Sequence, residues 1–244
     1  MPPFPYRLID STRPALGLIV LRVDETIEDE FRRTIPPDMA RLHVTRVRSG
    51  EDLTPASIAD MERGLTEAAS LLPPSVSFDV VGYACTSGTA QIGAEKVRAL
   101  VTAGASARNV TDPLTAALAA IRHRGLGRVG IVSPYLAPVA EPLRAAFEAQ
   151  GIDVPDMLSF GEAQEARVAR IDPQSIAEAA RMLAGRSDLD GLFLSCTNLK
   201  TFDILPVLEA ELGLPVLSSN QVLAWHMTRL ADGAAAEHGP DGAS

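Results

Sequence analysis

The chain contains two cysteines, Cys85 and Cys196, and each closes a short apolar run with the same sequel. Val80-Val81-Gly82-Tyr83-Ala84-Cys85-Thr86 and Gly191-Leu192-Phe193-Leu194-Ser195-Cys196-Thr197 both read as a buried strand ending in Cys-Thr. Hydroxyl and amide residues follow each thiol: Thr86-Ser87-Gly88-Thr89 after the first, Thr197-Asn198 after the second. Such residues suit a helix N-terminus, whose exposed N–H groups bind carboxylates and favour thiolate over thiol. The expectation is a pair of thiols with pKa values below the usual ~8.5. A lone cysteine is more often an inert, buried small hydrophobe. Two at matching positions point instead to acid/base or nucleophilic work.

The elements that must position them alternate. Strand-like runs at Leu16 to Val23, Leu42 to Val47, Phe78 to Tyr83, Asn109 to Thr111, Val129 to Val132, Gly191 to Ser195 and Pro215 to Leu217 are separated by helical segments. The helical segments are Ser57 to Leu72, Ala90 to Thr102, Pro113 to Arg124, Pro138 to Gln150, Pro173 to Ala184, Thr201 to Leu212 and Gln221 to Leu230. This is the βαβ pattern of an α/β protein with parallel sheets. Asp112-Pro113 and Asp172-Pro173 each pair a capping carboxylate with a proline at the first helical position. Gly125, Gly151 and Gly213 stand where a left-handed residue closes a helix.

An internal repeat organises these units. Leu16 to Val20 resembles Val129 to Ser133, Cys85 matches Cys196, and Val110 to Leu114 matches Val216 to Asn220, at offsets of 113, 111 and 106 residues. The chain therefore divides into an N-terminal extension (1–13), a first α/β half-domain (14–112) to which the C-terminal segment can return, a second (113–230) and a disordered tail (231–244). The halves are expected to be Rossmann-like and pseudo-symmetric, with the active site in the cleft between them, because ligands of parallel sheets bind at the carboxyl ends of strands. Thiols facing each other across that cleft could remove a proton on one side of a substrate carbon and return one on the other.

Composition narrows the partners. A net charge of −9 without a basic cluster excludes nucleic acid, and no run approaches the ~20 apolar residues of a membrane span. The first residues lack the basic-then-apolar order of a secretory signal, which reads as cytoplasmic, where the cysteines stay free thiols. His43, His123, His226 and His238 have no metal spacing, and His226 reads as a surface or satisfied histidine. Gly82 and Gly88 do not make a dinucleotide fingerprint. No metal and no cofactor are expected. The acidic run Asp24 to Glu30 reads as a solvated helix face. A homodimer or higher homo-oligomer is the expectation for an enzyme of this size.

The segments Gly82 to Gly88, Ser195 to Asn198 and Pro215 to Gln221, with Trp225 downstream, resemble the aspartate/glutamate racemase superfamily. Within it they are most similar to the branch of maleate cis-trans isomerases, arylmalonate decarboxylases and ectoine-utilisation racemase-like proteins. The resemblance spans about residues 14 to 230. It implies Cys85 as acid/base or nucleophile of the first half and Cys196 as its partner. It also implies Thr86, Ser87, Thr197 and Asn198 as carboxylate-binding positions, Tyr135 as a substrate-binding tyrosine, and Asn220 with Gln221 in the last motif. A helix N-cap accounts for Asn220 nearly as well.

One departure bears on substrate. Where similar maleate isomerases carry an asparagine after the first strand, this chain has Asp24, which would repel a dicarboxylate unless protonated or paired, for instance with Arg22. Similar arylmalonate decarboxylases keep only the second cysteine, so Cys85 argues against simple decarboxylation. The readings are a racemase or cis-trans isomerase of a small carboxylic or amino acid, an amino-acid racemase-like enzyme of ectoine utilisation, or a non-catalytic carboxylate-binding protein.

Overall fold

The computed structural model describes residues 3–9, 11–52 and 54–233. It contains two parallel four-stranded sheets. The first holds β1 (Ala15–Leu21), β2 (Arg41–Val47), β3 (Phe78–Ala84) and β4 (Ala107–Thr111) in the order β2-β1-β3-β4. The second holds β5 (Val129–Ser133), β6 (Met157–Ser159), β7 (Gly191–Leu194) and β8 (Val216–Ser218) in the order β6-β5-β7-β8. The orders coincide when the second sheet is counted from β5, so the sequence repeat is a repeat of topology. Cys85 lies one residue beyond β3 and Cys196 two beyond β7, each strand being paired to the first strand of its own sheet.

The sheets are covered on both faces, which is why their strands read as continuous apolar runs. Alternate residues of β1 sort to opposite sides. Ala15, Ile19 and Leu21 join Ile58, Met61 and Leu65 of α2 (Pro55–Ser70) and Val97 and Val101 of α4 (Ala94–Gly104). Leu16, Leu18 and Val20 join Ile27 and Phe31 of α1 (Ile27–Thr34) and Leu223 and Met227 of α10 (Ser219–Ala231). The last helix thus returns to pack on the first sheet. Gly82 makes room for it, because a Cβ there would sit 2.7 Å from the Met227 sulfur.

On the second sheet, α5 (Pro113–Arg124) and α6 (Ala137–Glu148) pack Leu114, Ile121, Leu143 and Phe147 on Ile131, Phe193 and Leu217. The opposite face receives Ile176 and Leu183 of α8 (Pro173–Arg186) and Leu205 and Leu208 of α9 (Leu205–Leu212). Each such side chain contributes about 1.5–3 kcal/mol by leaving water. The expected caps are present: Asp112 accepts the Thr115 N–H at 2.8 Å, Asp172 the Gln174 N–H at 3.0 Å, and Gly125 and Gly213 end α5 and α9 at φ 69° and 65°.

The structure adds four elements: α1, the short α3 (Thr86–Ile92), β6 and α7 (Glu165–Val168). The acidic run is a correction, because only part of it is solvated. Asp24 and Glu30 are buried while Glu25 and Asp29 are exposed, since α1 turns one side toward the second half. The expected disordered tail is corrected at its start, where α10 continues through Ala231, and from residue 234 it lies outside the described residues. Among the described residues no helix is long and apolar enough to cross a membrane.

Glu30 joins the halves. Its Oε1 accepts the N–H groups of Thr201 (2.9 Å) and Phe202 (3.2 Å), and its Oε2 accepts Asn220 Nδ2 at 2.7 Å. Glu30→Ala strands these buried donors and is expected to cost on the order of 3 kcal/mol in denaturant unfolding. Loss of less than about 0.5 kcal/mol would show that the seam contributes nothing measurable.

Candidate active site

β3 delivers Cys85 to the N-cap of α3, where its Sγ accepts the Gly88 N–H at 3.2 Å and lies 3.7 Å from Ser87 Oγ. The close approach requires glycine at 88: an added Cβ would fall 2.6 Å from the Tyr83 hydroxyl and 2.8 Å from the sulfur. The Tyr83 hydroxyl also favours the Cys85 thiolate. Thr86 and Ser87, at the first two positions of α3, have N–H groups with no carbonyl partner inside the helix.

Cys196 ends the corresponding strand in a different way. Its φ of 132° is the one positive value of a non-glycine residue among the described residues. Such a conformation costs roughly 1–3 kcal/mol and persists only where its surroundings hold it. Here Ser219 Oγ accepts the Cys196 N–H at 3.0 Å, while the sulfur accepts the Asn198 N–H at 3.4 Å. Ser219 Oγ also lies 2.8 Å from Thr86 Oγ1, so one hydroxyl ties the first cysteine loop to the second. Tyr135 is fully buried just past β5, and burial, followed by the nearby Cys196 and Cys85 sulfurs, raises its hydroxyl pKa well above the ordinary value.

The expectation of low thiol pKa values is overturned. Burial pushes Cys85 up to about 11, outweighing the Gly88 N–H and the Ser87 hydroxyl, and the Glu165 carboxylate pushes the same way. Burial likewise raises Cys196 well above the ordinary range, again with help from Glu165. Desolvation opposes charge more strongly than one helix N-terminus favours it.

Asp24, Glu165 and Glu30 are buried carboxyl groups of the same region. Asp24 is 4% exposed. Its Oδ1 accepts the N–H groups of Thr26 (2.8 Å) and Ile27 (2.9 Å), capping α1, and its Oδ2 has no hydrogen bond. The Thr197 hydroxyl favours the ionised Asp24, but its single proton is directed at the Ala84 carbonyl, 3.4 Å away. An unsatisfied buried oxygen costs about 1–3 kcal/mol. Burial raises the Asp24 pKa. The expected partner is corrected: Arg22 pairs with exposed Glu51 at 3.6 Å, and the cation near Asp24 is Arg46, which donates to the Asp24 carbonyl. Glu165, also 4% exposed, accepts Asn198 Nδ2 at 2.9 Å, and burial pushes it up to about 7. Glu30 is raised by burial and held by the contacts already described.

The nine positions singled out in the sequence thus fall in one buried region. Cys85, Thr86, Ser87, Tyr135, Cys196 and Thr197 surround the sulfurs. Asn198 is committed to protein, donating to Glu165 and accepting the Glu25 N–H at 2.9 Å. Asn220 Nδ2 holds Glu30 and the Thr197 carbonyl at 2.8 Å, while its Oδ1 is unpaired. Gln221 donates its N–H to Ser218, capping α10, and His226 is satisfied at 2.8 Å by Thr111, with burial lowering it to about 4. Tyr83, Gly88, Ser219, Glu30 and Glu165 were missed. Tyr83 and Ser219 lie inside the quoted motifs, whereas nothing near Glu165 marks it.

Two consequences can be measured. In a Cys196→Ser background, alkylation of Cys85 by iodoacetamide at pH 8 should run about 100-fold slower than that of a free thiol, because the pKa moves from 9.0 to about 11, and should climb with pH toward 11. A rate matching free cysteine would reveal a resting thiolate. For Glu165, a folded pKa of about 7 against 4.5 means the native state retains a proton that the unfolded chain releases. The associated stability is full below pH 4.5 and disappears as pH rises through 7, amounting to about 3 kcal/mol at ~1.4 kcal/mol per unit. Glu165→Gln, which keeps the acceptor for Asn198, should therefore raise the melting temperature at pH 8 and leave it unchanged at pH 4. An equal shift at both pH values would count against the buried-charge assignment.

The arylmalonate decarboxylase family model matches residues 55–241. The maleate isomerase of Nocardia farcinica is 28% identical over 89% of this chain and 90% of its own length. A solved mutant of arylmalonate decarboxylase, with a cysteine in place of a glycine and a serine in place of a cysteine, superposes with a TM-score of 0.81 at 26% identity, covering 91% of this chain and 94% of that one. A cysteine-to-serine mutant of the N. farcinica maleate cis-trans isomerase, carrying a covalently bound succinylcysteine intermediate, gives 0.77 at 26% identity over 90% and 93%. The chain belongs to the arylmalonate decarboxylase family, in the branch of the aspartate/glutamate racemase superfamily that includes the maleate isomerases, and it is an enzyme of the isomerase type.

Proposed function

We propose that this enzyme is a cofactor-independent isomerase or racemase of a small carboxylic acid, with Cys85 and Cys196 as its reacting groups. The observation that carries the reading is the buried pair of sulfurs, each at the end of an equivalent strand and each accepting a backbone N–H, with Ser219 tying the two cysteine loops together. One cysteine, as thiolate, takes the proton from the carbon next to the substrate carboxylate. The other, as thiol, delivers a proton to the opposite face and is left as thiolate. A thiol raised to about 11 is a strong base once ionised, which suits a weakly acidic C–H. The N–H groups of Thr86 and Ser87, which have no carbonyl partner inside α3, would hold the carboxylate and stabilise the enediolate.

The succinylcysteine intermediate of the N. farcinica relative favours a second course. The Cys85 sulfur adds to one carbon of a double bond and the other carbon takes a proton from Cys196. The new single bond rotates, then that proton returns and the sulfur leaves.

Deuterium exchange in heavy water, followed by NMR over a panel of maleate, aspartate, hydroxy acids and diaminobutyrate derivatives, tests the reading. Cys85→Ser and Cys196→Ser should each lower turnover on the order of 10³-fold while preserving the circular dichroism spectrum. Wash-in at the α-carbon without a mass adduct supports direct proton transfer, and an adduct on Cys85 supports the covalent course. Either variant retaining turnover within tenfold of the wild type would remove the two-thiol assignment.

A further inference from the structure

The two cysteine loops meet at one pair of hydroxyls, and that pair holds one proton more than it can use. We infer that Ser219 is a positioning residue: it relays a hydrogen bond from the Cys196 backbone through Thr86 to the substrate carboxylate, so that seating the carboxylate and aligning Cys196 are one event. The inference deepens the two-thiol reading and takes from it a carboxylate beside Thr86.

Ser219 opens α10, and the first turns of that helix are held by both halves of the molecule. Val222 packs in the core of the second sheet, while Leu223 and Met227 pack against the first. The Ser219 hydroxyl therefore has a fixed place in the seam. Its Oγ accepts the Cys196 N–H at 3.0 Å and lies 2.8 Å from Thr86 Oγ1, and both side chains are buried. A backbone amide can only donate, so Ser219 keeps its own proton for another partner.

One proton fits between the two oxygens, and the second must point elsewhere. Among the described residues neither hydroxyl has a further acceptor. A carboxylate beside Thr86 resolves this in one direction: Ser219 donates to Thr86, and Thr86 donates to the carboxylate. Each link of such a chain polarises the next.

Cys196 is the residue that needs this hold, because its φ of 132° persists only under constraint. The repeat provides no counterpart for Cys85. At the offset of 106 residues, Ser219 corresponds to Pro113, likewise the first residue of a helix after a capping side chain, and proline has no hydroxyl. The relay is built toward one cysteine only.

Alkylation tests the relay without knowledge of the natural substrate. Iodoacetate carries a carboxylate next to the carbon that a thiol attacks, and iodoacetamide is its neutral counterpart of similar size. Both are applied to the Cys85→Ser protein, in which Cys196 is the one remaining thiol, and the rates at Cys196 are read by mass spectrometry. The ratio of iodoacetate rate to iodoacetamide rate should exceed that of free cysteine at least about tenfold, because a seated carboxylate presents its carbon to the sulfur. Ser219→Ala and Thr86→Val should each lower the ratio about tenfold, the scale of one hydrogen bond to a charged group. The double variant should fall within about threefold of the lower single, as members of one chain do. Ser219→Cys, which fills the same space with a weak donor, replaces the alanine variant if that fails to fold. A parent ratio equal to that of free cysteine, both reagents slowed alike by Ser219→Ala, or single effects that multiply in the double variant would each overturn the relay. The two-thiol reading is decided separately: loss of α-proton exchange in both cysteine variants upholds it whatever the ratio does. Exchange that survives both substitutions would remove that reading, and a ratio dependent on Ser219 would still uphold the relay.

Discussion

Everything about the site depends on a polar seam between two halves that apolar burial alone could not align. The sheets are stabilised by leucine, isoleucine and valine side chains whose contribution scales with area and is indifferent to direction. Bringing the two cysteine loops together requires directional contacts, and these are concentrated at the carboxyl ends of the strands. Ser219 Oγ holds the Cys196 N–H and meets Thr86 beside Cys85. Glu30 reaches from α1 to Thr201, Phe202 and Asn220, and Asn198 binds Glu25 on one side and Glu165 on the other. Because α10 begins at Ser219 and packs on the first sheet, the seam and the returning helix are one connection.

That arrangement also sets the electrostatics. Burying the seam removes water from both thiols, and the same desolvation that keeps them neutral at rest makes either one a strong base when ionised. A surface cysteine at a helix N-terminus would ionise more readily but would accept a carbon-bound proton less willingly. Cys196 carries a further cost in its positive φ, which the Ser219 and Asn198 contacts hold in place. Strain, burial and unpartnered oxygen all gather within one small region, where function and stability pull in opposite directions.

The parts of this molecule legible in the sequence were those with local causes. Alternation of apolar runs and helices revealed the α/β class, Asp112-Pro113 and Asp172-Pro173 marked real helix starts, and the repeat located both cysteines at equivalent strand ends. What escaped had distant causes. β6 is three residues at a sheet edge, too short to show alternation, and α1 shows apolar residues only at Ile27 and Phe31 amid acids. Glu30 looks like a surface residue until residues 171 to 190 positions away are folded against it, and Glu165 until Asn198, 33 positions away, reaches it. The thiol pKa values went astray for the same reason: the helix N-terminus is visible locally, while the depth of burial is a property of both halves together.

The symmetry of the fold and the asymmetry of the site answer different needs. Equivalent strand ends present two like groups, which is what opposite faces of a single carbon call for. The acids break the equivalence: Asp24 follows β1, whereas Glu165 follows β6, and the position past β5 is filled by Tyr135. Duplicated topology supplies the two strand ends that carry Cys85 and Cys196, and the unequal loops grown on it supply Asp24, Tyr135 and Glu165 around them.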